Sequence, residues 1–99
     1  MEGRDSGLLE TVDRYLRINA EAVRKLRISV PEDSYLFTLA KDFMQMIKSY
    51  SDDAAHFKEK NELIKAVSAL NYAHGWIDAG ARIGLFDVGG DHRLFTLYR

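Results

Sequence analysis

The chain has 99 residues, 14 of them basic and 15 acidic, for a formal charge of -1, and no cysteine. That length suits one domain with a single core, and the balanced charge lacks the excess of a dedicated nucleic-acid or anionic-membrane binder. Without cysteine there are no disulfides, thiolate zinc sites or cysteine nucleophiles, and without ~18 consecutive apolar residues there is no helical membrane span, so a soluble, unprocessed, cytoplasmic protein is expected.

Apolar residues first recur at Leu9, Val12, Leu16, Val23, Leu26 and Val30, with Asn19 filling the one seam position that is not apolar. Spacing by threes and fours predicts a first helix over about 6–28. Pro31 restrains Val30 away from helical angles and suits the first turn of a new helix, where Glu32 and Asp33 complement the dipole. A corner is therefore expected at 29–33. The second seam, Leu36, Leu39, Phe43, Met46, Tyr50 and Phe57, predicts a helix over about 32–60, with Asp53 polar and Ala54 beside it. Lys58 and Lys60 suit its C-terminal end, and Asn61 tolerates the left-handed conformation that closes a helix. A connection this short makes the next helix an antiparallel neighbour.

The third helix, about 62–85, has its polar residues on a narrow strip of Lys65, Ser68, Asn71, Asp78 and Arg82. Such a helix carries more apolar surface than one neighbour can cover, so the first helix, the C-terminal segment or a second copy must pack on it too. Gly75, Gly80 and Gly84 each cost up to ~1 kcal/mol relative to alanine, which predicts close approach of another helix along small residues at 73, 80 and 84, a crossing inside the bundle or, as the alternative, a symmetric dimer contact. Beyond Phe86, Gly89 and Gly90 form a turn, and RLFTLYR alternates polar and apolar residues. This is the one segment that reads as a strand, and it is expected to lie extended over the third helix through its aromatics. The fold expected is all-α, an up-down-up three-helix bundle forming a single helical domain over 1–99, with an extended tail at 87–99.

The run SYSDDAAHFKEKNELIKAVSALNYAHGWIDAGARIGLF, residues 49–86, closely resembles an archaeal family known as domain of unknown function 357. Its wording is a Tyr, an Asp-Ala pair and an aromatic before a Glu-Lys-Gly turn, then a helix ending Tyr-Ala-His-Gly-Trp-Leu-Asp-Ala-Gly. Here these are Tyr50, Asp53, Ala54, Phe57, Glu59, Lys60 and Asn61, then Tyr72, Ala73, His74, Gly75, Trp76, Ile77, Asp78, Ala79 and Gly80. Asn61 replaces the usual glycine and keeps the left-handed turn. With a looser likeness upstream, the resemblance covers roughly 8–86. It implies an archaeal, cytoplasmic, three-helix bundle, and it supplies no function and no catalytic residues.

His74, Asp78 and Arg82 follow one another at steps of four, so Asp78 can accept from His74 and pair with Arg82. A histidine held by a carboxylate suits a general base, and the same strip also serves to hold a bundle in register. A shared metal site is not expected: with a turn at Asn61, His56 lies level with Ala66, ~12 Å along the axis from His74. No cofactor is expected either. Arg82 is followed by a histidine only at His92, too far for the arginine-histidine pairing of small helical nucleases. Arg14, Arg17, Arg24, Lys25 and Arg27 are interleaved with Glu10, Asp13 and Glu21, a mixed-charge face that disfavours nucleic acid. Trp76 is expected to pack against the first helix or the tail with its indole N-H partnered. The leading expectation is a non-enzymatic interaction or adaptor module, contacting a protein partner or a second copy through Tyr72, Trp76, Leu94, Phe95 and Tyr98. The other is a nucleotide- or RNA-processing domain using His74, Asp78 and Arg82.

Overall fold

The computed structural model describes residues 2–89, with side chains from Gly7 onward. The expected tail beyond Gly89, with Leu94, Phe95 and Tyr98, lies outside the described residues. Three helices, α1 (Glu2–Lys25), α2 (Tyr35–Glu59) and α3 (Leu63–Arg82), carry the fold, joined at one end by two-residue strands β1 (Arg27–Ile28) and β2 (Phe86–Asp87). The principal extents are 53 × 24 × 17 Å.

Both ends of the α2 to α3 hairpin are set by backbone chemistry. Asn61 takes φ +61°, so its N-H donates to Lys58 O and that of Glu62 to Phe57 O (2.9 and 2.8 Å). This paired closure satisfies carbonyls that the last helical turn leaves open. Gly84, at φ +84°, repeats it at the end of α3, with Leu85 N donating to Gly80 O (2.9 Å) and Gly84 N to Ala81 O (3.3 Å). The chain then turns back, and β2 pairs antiparallel with β1 in the register Arg27 to Asp87 and Ile28 to Phe86. Ser29 extends the clamp, its N-H donating to Leu85 O and its hydroxyl to Gly84 O (both 2.9 Å). Because β1 follows α1 and β2 follows α3, this clamp places the C-terminal ends of those helices together, which gives the up-down-up order.

The clamp explains why α1 ends at Lys25 rather than Ile28, since Arg27 and Ile28 are taken by strand pairing. The corner also differs from expectation. Pro31 is not in the first turn of α2; it opens a turn that closes when Ser34 N donates to Pro31 O (3.1 Å). Ser34 then caps α2, its hydroxyl accepting from Phe37 N (3.2 Å), so Glu32 and Asp33 precede the helix.

Packing shifts the second seam. The buried positions of α2 are Ala40, Ile47 and Ala54, at steps of seven, while Leu36 is exposed. Two of these are small, and Ala54 packs with Ala69 and Leu70 of α3, which allows the two helices to approach closely, because interaxial distance follows side-chain size at the contact. Alanines therefore make the close approach expected of the glycines. Gly80 serves another purpose: a Cβ there would overlap Phe86 Cε2 and Cδ2. Gly75 meets open space, and nothing in the structure explains it.

Ala22 of α1 and Leu26 just beyond it, Ala40 and Ile47 of α2, and Ile77, Leu85 and Phe86 from the α3 end form the main core cluster. Val12 joins Leu63 and Ala66 at the other end. Asn19 lies between, buried as the seam expected. Its Nδ2 donates to Ser51 Oγ (2.7 Å), which donates to Ile47 O (2.7 Å), while its Oδ1 is buried without a partner. A buried acceptor without a donor costs about 1–3 kcal/mol, and replacing both members of a pair with apolar groups can be neutral or stabilising. The double variant Asn19→Leu/Ser51→Ala is therefore expected to unfold at an equal or higher urea concentration than the parent, whereas Ser51→Ala alone, which strands the Asn19 amide, unfolds earlier.

At the start of α3, Lys65 Nζ sits 2.9 Å from Glu62 Oε2. That hydrogen bond holds the Glu62 carboxyl below its ordinary range. A carboxyl whose folded value is depressed stabilises the fold above its unfolded value, and the contribution is lost as pH falls through the folded one. Melting curves of Glu62→Gln are expected to lie slightly below those of the parent at pH 7 and to merge with them in acid beneath the ordinary carboxylate range.

Candidate functional site

Of the expected strip, Asp78 and Arg82 do meet: Arg82 Nε donates to Asp78 Oδ2 at 3.0 Å on the exposed side of α3, as i, i+4 spacing allows. His74 is 7% exposed. With Asn71, Gly75 and Asp78 it lines a hollow of about 310 Å³. All four residues come from one helix, so a group held there would meet no second wall among them. No set of three or more potential metal ligands occurs among the described residues.

The aromatic positions separate. Trp76 is half-buried and packs edge-on to Phe43 of α2, with ring centroids 4.8 Å apart at 82°. Its ring thus meets α2 through Phe43, and it packs against the cluster that also contains Ala22 of α1; the tail, the other expected neighbour, lies outside the described residues. Tyr72 is 62% exposed and stacks on Tyr50 at 4.9 Å and 13°. Together with Phe57 and Ile64 the pair borders a shallow depression of about 350 Å³ between α2 and α3. A packed face cannot leave Ile64 and Tyr72 so open, so the apolar excess of α3 is only partly covered.

A larger feature lies between α1 and α2, on a face the sequence did not point to. These two helices touch less than either touches α3, and between them runs a groove of about 840 Å³. Its apolar lining includes Leu16, Ala20 and Val23 from α1 and Met44, Ile47 and Ala55 from α2. Arg24, Lys41 and Lys48 stand along it with Asp52, and Asn19 and Ser51 supply its polar pair. A trough of this size with mainly apolar walls and a few polar groups has the composition of a binding site. The available signal was small: Leu16 and Val23 read as ordinary seam positions, Met44 flanks the second seam, and Ala20 and Ala55 leave room beside them.

A family model described as "Protein of unknown function (DUF357)" matches residues 14–86. The chain belongs to the DUF357 family. The matched span holds the residues that line the groove and ends at Phe86, the ring seated on Gly80. No curated protein and no solved structure matches the chain. Among the described residues of this DUF357 protein, no helix is long and apolar enough to cross a membrane.

Proposed function

We propose that this DUF357 protein is a cytoplasmic, non-enzymatic interaction module that receives a protein partner in the groove between α1 and α2. The single observation behind the reading is that groove, an opening of about 840 Å³ with mainly apolar walls in a small helical fold. Exposed apolar surface of this kind marks interaction sites, because leaving it in water has no structural benefit. A nucleotide- or RNA-processing role for His74, Asp78 and Arg82 has less support. Arg82 already engages the Asp78 carboxylate, and general base chemistry needs a substrate held against the base by other groups.

Affinity capture from the native host separates the readings, using the parent and Ala20→Glu. Ala20 is exposed on α1 at the groove, so a glutamate there obstructs the trough while leaving the core untouched. Proteins retained by the parent and lost from the variant are the expected result; identical retained sets would sink the reading. With RNA as substrate, the parent and Asp78→Ala are expected to show the same background turnover, and Asp78-dependent cleavage would favour the enzymatic reading.

A further inference from the structure

We infer that the occupant of the groove is an amphipathic helix carrying acidic residues beside its apolar stripe. The inference rests on the reading of the groove as a partner site and adds the chemistry of the partner. The walls decide the form of the occupant. Apart from Ile28 of β1 at one end, they are α-helices, whose backbone N-H and C=O groups are bonded internally, so an extended segment would find only a two-residue edge to pair with. A helix brings its own backbone bonds and needs only an apolar stripe. On α2 the groove runs from Lys41 to Ala55, ~21 Å at 1.5 Å per residue, which matches a helical segment of about 14 residues. Met44 in the floor is an adaptable contact for such a stripe.

Charge decides its sign. Arg24, Lys41 and Lys48 line the trough, and Asp52 is the one acidic residue among its lining. Glu21 holds Arg24, which partly offsets it, and Lys41 lies 5.7 Å above the Phe37 ring centroid with its charge intact. Lys48 has no ion-pair partner among the described residues. The groove is thus positive on a chain whose formal charge is -1. A second copy docked face to face would set these cations against their own counterparts. The chain's own segment 90–99 carries Arg93 and Arg99 against Asp91, so it also brings the wrong sign. Acidic residues flanking an apolar stripe complement the rim, steering encounter and fixing register.

Two synthetic helical peptides of about 14 residues, sharing one leucine stripe and flanked by glutamates in one and lysines in the other, test this by fluorescence anisotropy against the full chain. The acidic peptide is expected to bind about tenfold or more tighter than the basic one at low salt, with the gap narrowing toward ~1 M salt. Lys41→Glu/Lys48→Glu, both changes on exposed positions, is expected to reverse the preference. Equal binding of the two peptides, or a preference unchanged in the charge-reversed variant, would overturn the inference. So would binding that appears only in Leu94→Asp/Phe95→Asp, which would make the chain's own segment the occupant, or a dimer that the acidic peptide dissociates, which would make it a second copy. Capture sensitive to Ala20→Glu without any acidic preference leaves the partner site standing and removes only its chemistry.

Discussion

Gly80→Ala is expected to lower stability by about 1–3 kcal/mol, the usual cost of overpacking a filled core, and to shift the guanidinium midpoint accordingly. The sign is the informative part. In an exposed helix interior the same substitution stabilises by up to ~1 kcal/mol through helix propensity. Here a Cβ would overlap the edge of the Phe86 ring, and Phe86 is buried, 6.4 Å from the Phe43 ring centroid. The ring cannot swing away without disturbing Phe43 and the β1 to β2 pairing that begins at Phe86 itself. Gly80→Ala/Phe86→Leu is expected to recover part of the loss, because the shorter side chain vacates the space the methyl needs. A stabilised Gly80→Ala would show that Phe86 does not sit on that glycine.

The contrast between Gly80 and the other glycines shows where sequence reasoning reached its limit. Three glycines on a helix signal an unusual backbone environment, but each answers to a different cause. Gly84 is the left-handed closure of α3, Gly80 receives a ring from six residues on, and Gly75 has open space. Asn61 was legible because its conformation depends on neighbours within one turn. The i, i+4 pairing of Asp78 with Arg82 was legible for the same reason. The strands were not: β1 and β2 are two residues each and some 60 apart in sequence, too short to show an alternating pattern. Nor was the α2 seam, since periodicity favours large residues such as Leu36 and Leu39. The helix centre instead falls on Ala40, Ile47 and Ala54, where close approach of α3 rewards small side chains. The groove depends on how far α1 stands from α2, a tertiary quantity that neither helix encodes alone.

Two core isoleucines measure how open that groove is. Ile47 and Ile77 are both fully buried and belong to the same cluster, so burial alone assigns them the same cost on truncation, about 2–5 kcal/mol for isoleucine to alanine. Their surroundings differ. Ile77 is not among the groove residues, whereas Ile47 forms part of the floor. The cost at fixed chemistry depends on how far a site can relax around the missing atoms. At Ile77 the void is enclosed, its lining loses contacts with nothing in return, and the loss is expected toward the top of that range. At Ile47 the void merges with the trough, where Met44 can swing over it and water can enter, so the loss is expected near the bottom. Equal losses by urea titration would mean that α1 closes over Ile47 in solution, and the partner site would then have to be sought on the Tyr50 and Tyr72 face instead.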